Sequence, residues 1–488
     1  MLAMFADHLE SAFFPLSIAV VGASGSSASY GYIFIYSLVD CGYPGRIYPI
    51  NPNESEVLGF KTYPALKDVP GLVEYVICCL SASKVLDLLS QCKQKGVKFI
   101  HLFTGRFSET GLEEAVELEK EILCQARKLG IRLIGPNCMG IYCPKGGMSF
   151  GYDFPKEPGK VGMFLQSGGA STEFVRYAAL RGIRFSKVIS YGNALDLDET
   201  DFLQYLAKDS ETEVIACYVE GVKDGRRFFN ALHQAASLKP IIILKAGRSS
   251  AGTRAASSHT AALAGTLKIW ESAIKQTGTI QARSLDEMMD LVVAFCSLPP
   301  LMGTRVGIVG GGGGKSVLSA DEWEEAGLRV VPLTPEIREE IKRRVPEMWW
   351  GWIGNPVDVS IMPEEAWVTD LSGDILRIMA GSSNFDLLVA NVTVDAPFEK
   401  AEMTSFIRRQ VEVIIEIKRK GTKPLAVVLN TGALGVEDFK SWRWKLFAEQ
   451  KSRLVAAGLP VYPAVGRAAE AICHVANYYR RRNRQAEF

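Results

Sequence analysis

His259 is the residue best suited to carry chemistry in this sequence. It is one of five histidines and lies in Ser257-Ser258-His259-Thr260, within a glycine- and hydroxyl-rich stretch after the apolar run 241–244. Small neighbours leave room for a charged substituent, and a neutral imidazole is a competent nucleophile toward phosphorus near pH 7. The pattern predicts a loop histidine that carries a phosphoryl group. A histidine that only makes local hydrogen bonds is the alternative.

Two other segments could serve such a histidine. Glu220 follows the β-branched run 214–219, and a carboxylate bound to the second ring nitrogen would fix the histidine tautomer. Ser167, Gly168 and Gly169 follow another apolar run and precede a helix-length segment. They predict a helix start whose N–H groups bind phosphate. Helix capping by Ser167 without any ligand is the alternative for this turn.

The first glycine-rich turn follows the predicted strand 17–21. It contains Gly22, Ala23, Ser24 and Gly31, and it favours a nucleotide or pyrophosphate because glycines let backbone N–H groups approach an anion. The spacing differs from G-x-G-x-x-G, and the next strand ends in Asn51 rather than in an acid. Both features argue against an NAD(P)-dependent oxidoreductase.

A second glycine run, Gly310–Gly314, precedes Lys315 and Ser316. A P-loop needs glycine six residues before the lysine, and that position is Val309. The spacing therefore favours a glycine turn that packs against another part of the protein over a Walker-type ATP site.

The elements that position these residues alternate between short β-branched runs and helix-length amphipathic runs, which predicts parallel sheets of doubly wound α/β type. Strands are predicted at 17–21, 46–50, 75–80, 99–103 and 132–134. The glycine-rich segment 146–159 reads as a linker, and a similar order of strand, glycine turn and helix begins at Lys160 and at Arg305. We predict three domains, at residues 1–150, 151–300 and 301–488, of which the last two repeat one plan.

Composition excludes several classes of protein. The 488 residues carry 55 basic and 54 acidic side chains, for a net charge of +1, which gives no electrostatic basis for binding nucleic acid or an anionic membrane. The ten cysteines form no C-x-x-C pair, so neither a disulfide framework nor a zinc site is predicted. Without a signal peptide or a membrane-length apolar run, the sequence predicts a cytoplasmic protein.

Taken together, these segments resemble the NDP-forming acyl-CoA synthetases, relatives of succinyl-CoA synthetase, over nearly the whole chain. Val21-Gly22-Ala23-Ser24 resembles the CoA-binding turn, and Thr104–Gly111 and Gly135–Gly140 resemble the loops around the CoA thiol. Ser257-Ser258-His259-Thr260 is similar to the phosphohistidine loop, and Tyr218-Val219-Glu220-Gly221 to the segment with the histidine-orienting glutamate. The resemblance assigns these residues to the cofactor: Gly22, Ala23, Ser24, Gly31, Asn51, Lys61, Ser81, Glu109 and Asn137.

The resemblance implies a Rossmann-like CoA-binding domain followed by two flavodoxin-like ligase domains. It implies an enzyme that interconverts acyl-CoA, ADP and phosphate with carboxylate, ATP and CoA through an acyl phosphate and phospho-His259. ATP or ADP and Mg²⁺ would lie mainly on a separate ATP-grasp beta subunit, in a hetero-oligomer of α2β2 type, with no metal held by this chain. The alternatives are a non-catalytic CoA or acyl-CoA sensor and an acyl-CoA hydrolase or transferase that works without nucleotide.

Overall fold

The computed structural model describes residues 9–260, 266–359, 371–394, 399–430 and 440–486, and of 257–260 and 485–486 only the backbone. The chain forms two compact units, Met1–Met288 and Met289–Phe488. The first unit contains one parallel sheet, one mostly parallel sheet and a two-stranded antiparallel hairpin, and the second unit contains one parallel sheet. Across the described residues, no helix is both long enough and apolar enough to cross a membrane.

The first sheet is built from apolar runs whose side chains are buried on both faces, as in parallel sheets covered by helices. Its strand order is β2-β1-β5-β6-β7. A short antiparallel hairpin, β3-β4, lies between β2 and β5 in the sequence. The bounds are β1 Ser17–Val21, β2 Arg46–Ile50, β3 Glu56–Val57, β4 Phe60–Lys61, β5 Tyr75–Cys78, β6 Phe99–Leu102 and β7 Arg132–Ile134.

The second sheet has the order β13-β12-β11-β9-β10-β8. Its outermost strand, β8, pairs antiparallel with β10, while the other pairs are parallel. The bounds are β8 Gly140–Tyr142, β9 Val161–Leu165, β10 Phe185–Ser190, β11 Val214–Val219, β12 Ile241–Lys245 and β13 Ile280–Ala282.

The third sheet, in the second unit, has the order β15-β14-β16-β17-β18. In each of the three sheets the first parallel strand lies between the second and the third, so the predicted repeat of one plan is present. Ligands in such sheets bind at the carboxyl ends of strands where the order reverses. The bounds are β14 Arg305–Val309, β15 Arg329–Val330, β16 Leu387–Thr393, β17 Leu425–Asn430 and β18 Val461–Tyr462.

Local signals set both ends of the first helix. Ser29 caps the first helix by accepting from the Tyr32 N–H, and Gly42 ends it in the left-handed conformation, as expected for a serine N-cap and a glycine after a helix. The helices, in chain order, are α1 Tyr30–Cys41, α2 Val85–Gln94, α3 Glu113–Leu129, α4 Gly168–Leu180, α5 Glu199–Lys208, α6 Gly225–Leu238, α7 Ser250–Thr260, α8 Leu267–Thr277, α9 Leu285–Ser297, α10 Gly313–Glu325, α11 Pro335–Lys342, α12 Leu371–Ala380, α13 Lys400–Lys420, α14 Trp442–Ala456 and α15 Val465–Ala486.

One prediction about these elements is wrong. The segment that carries His259 was expected to be a loop, but residues Ser250–Thr260 form the helix α7. Alanines at 251, 255 and 256 favour a helix, because alanine has the highest intrinsic helix propensity. Their small size, which indicated an open loop, is equally compatible with a helix.

Candidate active site

The clearest constellation lies at the carboxyl end of the second sheet, between β9 and β11. The Gln166 side chain is buried and accepts through Oε1 from the backbone N–H groups of Glu220 and Gly221, the latter at 3.1 Å. Since β9 and β11 are neighbours where the strand order reverses, this bridge fixes the two turns at the position where such folds bind ligands. Sequence reasoning selected Ser167 and Glu220 but gave Gln166 no role of its own.

The helix start beside this bridge has the predicted form. Ser167 caps α4 by accepting from the Ala170 N–H at 3.3 Å. A Cβ at Gly168 would lie 2.8 Å from Cγ of Met139, whereas one at Gly169 would have no neighbour within 4 Å. The start of α4 is therefore open on the Gly169 side, and a helix N-terminus with free space beside it can accept an anion.

Glu220 is buried and has polar neighbours. The Tyr218 hydroxyl donates to its Oε1 at 3.2 Å, and the Lys245 ammonium donates to its backbone oxygen at 2.7 Å. The pKa of Lys245 lies below its ordinary value because the ammonium is buried, and the nearby Glu220 carboxylate offsets part of this shift. A carboxylate held in this way is suited to orient an imidazole.

His259 itself lies in the last turn of α7, the helix that follows β12. The strand β12 pairs in parallel with β11, whose end carries Glu220. The His259 side chain is outside the described part of the chain, as are Ala261 and its neighbours to residue 265. Its pairing with Glu220 therefore stays a prediction.

A second buried glutamate near this edge was not predicted. Glu199, the first residue of α5, is 1% exposed, and its Oε1 accepts from the Lys223 N–H at 3.2 Å while its Oε2 has no partner in the described chain. Burial, with a contribution from the Asp198 charge, raises the pKa of Glu199 to about 7. Its carboxyl can therefore change protonation near neutral pH. The sequence does not indicate this burial, because Glu199 after the N-cap Asp198 has the pattern of an ordinary acidic helix start.

In the first sheet, the predicted cofactor turn is compact. A Cβ at Gly31 would lie 2.3 Å from the Gly22 oxygen, and Gly22 has φ +88°, so both positions need glycine. The Asn51 side chain donates to the Ala23 oxygen at 2.5 Å. The structure thus brings Gly22, Ala23, Gly31 and Asn51 together at the carboxyl end of β1.

Other predicted cofactor residues are held in different ways. The Glu54 carboxylate accepts from the Gly25 N–H at 3.0 Å, so the turn already contacts one anionic group. Ser24 accepts through its hydroxyl from the Ser26 N–H. Lys61 lies over the Tyr63 ring at 5.4 Å, and Ser81 is the N-cap of a short 3-10 turn. In the described residues, no hydrogen bond joins Lys61 or Ser81 to the glycine turn.

Glu109 and Asn137 lie where the first and second sheets meet within the first unit. Glu109 accepts from the N–H groups of Arg106 and Phe107 and, at 2.6 Å, from the side chain of Asn193. Asn137 has φ +57°, and its N–H donates to the Thr104 oxygen. These contacts connect the two predicted thiol loops to the turn after β10.

The second unit has a related feature that sequence reasoning undervalued. The glycine run after β14 leads into α10, and a cavity of about 200 Å³ is lined there by Lys315, Ser319 and Asn391. Ser319 is 2% exposed, and its hydroxyl has no partner in the described chain. Glu322 lines the same cavity, so a lysine, a carboxylate and an unpaired hydroxyl lie together there.

The sheets and the glycine turns define a CoA-binding protein of the succinyl-CoA ligase type. Residues 16–144 match the family described as CoA binding domain, and residues 158–295 match the succinyl-CoA ligase like flavodoxin domain.

Relatives make the family more specific. The chain is 38% identical over 401 residues to acetate–CoA ligase (ADP-forming) II subunit alpha of Pyrococcus furiosus, covering 81% of this chain and 85% of that protein. It is 34% identical to the type I alpha subunit of the same organism, over 95% and 96% of the two chains. The dinucleotide-forming acetyl-coenzyme A synthetase 1 of Ca. Korarchaeum cryptofilum, solved with phosphate and ADP, matches with a TM-score of 0.82 and 31% identity over 98% of each chain. The chain belongs to the family of ADP-forming acetate–CoA ligase alpha subunits.

Proposed function

We propose that this chain is the CoA-binding, phosphohistidine-carrying subunit of an ADP-forming acyl-CoA ligase. It interconverts acyl-CoA, ADP and phosphate with carboxylate, ATP and CoA. The supporting observation is the edge between β9 and β11, where Gln166 joins the glycine helix start to the buried Glu220. The helix with His259 follows the strand beside Glu220.

The proposed reaction has three steps. A phosphate oxygen attacks the thioester carbonyl, the C–S bond breaks, and acyl phosphate and CoA thiolate form. A nitrogen of His259 then attacks phosphorus, and the P–O bond to the acyl group breaks to release the carboxylate. Finally the phosphoryl group passes from His259 to ADP.

Each proposed site residue has a defined task. Glu220 orients His259 and compensates the charge of the imidazolium. Ser167, Gly168 and Gly169 present helix-start N–H groups to the phosphate, and such preorganised donors stabilise charge that develops on the transferred group. The residues proposed to hold CoA are Gly22, Ala23, Ser24, Gly31, Asn51, Lys61, Ser81, Glu109 and Asn137.

The nucleotide and Mg²⁺ bind mainly to a partner in this proposal. The relatives from Pyrococcus furiosus are named alpha subunits, which supports a beta subunit, here proposed to be an ATP-grasp protein in an α2β2 assembly. The three sheets support domains at residues 1–150, 151–300 and 301–488. The ten cysteines are free thiols, which supports a reducing, cytoplasmic location.

The proposal predicts an acid-labile, base-stable phosphoryl group on His259. The test incubates the chain and its beta subunit with labelled ATP and Mg²⁺. His259→Ala should abolish the label and Glu220→Gln should lower the labelling rate by up to ~10⁴-fold, the loss that follows when the orienting carboxylate of a catalytic triad becomes an amide. The matched control is His233→Ala, an exposed histidine on α6, which should keep the label. Label that persists in His259→Ala would exclude His259 as the carrier.

A further inference from the structure

The turn that follows β11 carries Glu220, and buried side chains hold its backbone at both ends. Gln166 accepts from the N–H groups of Glu220 and Gly221 at the first end. At the other end Glu199 accepts from the Lys223 N–H at 3.2 Å. A turn fixed in this way keeps the side chain it carries in one place. Such precision matters because a displacement of about 1 Å at a reacting group can lower a rate ~100-fold.

Glu199 differs from an ordinary acid at a helix start. Its side chain is buried, and its Oε2 has no partner in the described chain. The two neighbouring acids on the same helix are compensated, because Arg227 pairs with both Asp198 and Asp201. Glu199 has no such cation among the described residues, since the Lys223 ammonium donates to the Ala194 oxygen at 2.5 Å. An unpaired buried charge is costly, so the surroundings favour the neutral acid.

The packing makes the contact between Glu199 and the turn sensitive to pH. Burial, followed by the Asp198 charge, raises the pKa of Glu199 to about 7. The charged form is stabilised only when its Oε2 reaches water, and such an opening releases the Lys223 N–H. The titratable and charged groups on the elements around it are Asp198, Asp201, Tyr191, Cys217, Lys223 and Arg227.

We infer that Glu199 is a positioning residue for Glu220. It holds the far end of the turn after β11 and thereby keeps the Glu220 carboxylate where it orients His259. The inference rests on the proposed function, because the role of Glu220 toward His259 is part of that function. Glu199 is 1% exposed, so it acts through the backbone of the turn and not by contact with a ligand.

The test compares variants of Glu199 in the chain assembled with its beta subunit. Glu199→Met removes the acceptor but keeps a side chain of similar length, and the rate of His259 labelling from ATP should fall ~100-fold. Glu199→Gln keeps an accepting oxygen for the Lys223 N–H and should label at the wild-type rate at pH 6. Calorimetric titration should give unchanged CoA affinity for both variants. The matched control is the exposed Glu213→Gln, which should change neither quantity.

A pH profile separates this role from a general loss of stability. The ratio of the wild-type rate to the Glu199→Gln rate cancels the titration of His259 and of the beta subunit. This ratio should fall ~10-fold between pH 6 and pH 8, because a group with a pKa of about 7 is only ~10% protonated at pH 8. At pH 8, amide hydrogen exchange of residues 218–224 should be faster in the wild type than in Glu199→Gln.

Three results would overturn the inference. One is wild-type labelling by Glu199→Met. Another is a ratio of wild type to Glu199→Gln that stays constant from pH 6 to pH 8. The third is a loss of label in Glu199→Met that is accompanied by a loss of CoA binding, which would show general unfolding. A wild-type chain that takes no label while residues 218–224 exchange as expected would instead overturn the proposed function, and the inference with it.

Discussion

The carboxyl edges of the second and third sheets share one plan but are completed differently. At both edges a glycine turn follows the first strand, β9 or β14, and leads into a helix. The third strand of the plan, β11 or β16, lies directly beside that first strand. At the second sheet, Ser167 caps the helix and Gln166 is bound to the backbone of Glu220 and Gly221. At the third sheet, the N-cap is Gly312, which provides no side-chain cap.

The polar groups at the two edges also differ in how they are paired. The second edge contains the buried carboxyl groups Glu220 and Glu199. The third contains Lys315 and the hydroxyls of Ser316 and Ser319, which have no partner in the described residues. One edge is thus organised by its own side chains and suits the orientation of a histidine. The other leaves two buried hydroxyls without a partner in the described residues, which is rare for buried polar groups.

The largest expected effect is at the third edge. Gly310 has φ +102°, and an added Cβ would lie 2.2 Å from the Asn391 oxygen. Gly310→Ala should lower the unfolding free energy of this unit by ~4 kcal/mol, from overpacking and backbone strain together. Gly314→Ala is the control, because its Cβ would meet nothing within 4 Å. Equal hydrogen-exchange protection of the β14 and β16 amides in both variants would contradict the prediction.

The next effect concerns pH at the second edge. The folded-state pKa of Glu199 is raised from 4.5 to about 7, so the fold disfavours its charged form. Stability is therefore retained below about pH 4.5 and is lost as the pH rises toward 7. Glu199→Gln should not show this loss, and its advantage should reach ~3 kcal/mol at pH 8. Urea denaturation between pH 4.5 and 8 measures this, with the exposed Glu213→Gln as control. Parallel pH curves for wild type and Glu199→Gln would refute it.

A smaller loss should follow when the bridge between β9 and β11 is removed. Gln166→Leu leaves the N–H groups of Glu220 and Gly221 without their acceptor, and such buried groups cost about 2 kcal/mol. The variant should also lower the rate of His259 phosphorylation, because Glu220 loses its position. Chemical denaturation and the labelling assay measure both effects. The exposed Gln234→Leu should change neither, and unchanged labelling in Gln166→Leu would show that the bridge has no role in positioning.

The smallest effect is expected at the cap of α4. Ser167→Ala removes the side-chain acceptor for the Ala170 N–H and should lower stability by ~1 kcal/mol. Calorimetry with and without phosphate separates the two roles of this serine. If the variant is less stable but phosphate still raises its Tm as in the wild type, Ser167 serves only as a helix cap and does not bind phosphate. Ser29→Ala, which removes the equivalent cap of α1, should cost a similar amount without affecting phosphate.

Most of the strands and the fold class were predictable from local patterns in the sequence. The predicted bounds of β1, β2, β7 and β11 agree with the structure, because a β-branched run between turn residues is a local signal. The family was likewise readable from short motifs, each contiguous in the chain. The helix at 250–260 was predicted wrongly, since alanine and serine leave helix and loop close in free energy and the surrounding packing decides.

Contacts between distant residues were not predictable in this way. Gln166 and Glu220 are 54 residues apart in the chain, yet they share a hydrogen bond where the strand order reverses. The burial that raises the pKa of Glu199 to about 7 and the unpaired hydroxyls of Ser316 and Ser319 likewise depend on contacts between distant segments. Desolvation and pairing are set by neighbours in space, and a sequence pattern records only neighbours along the chain.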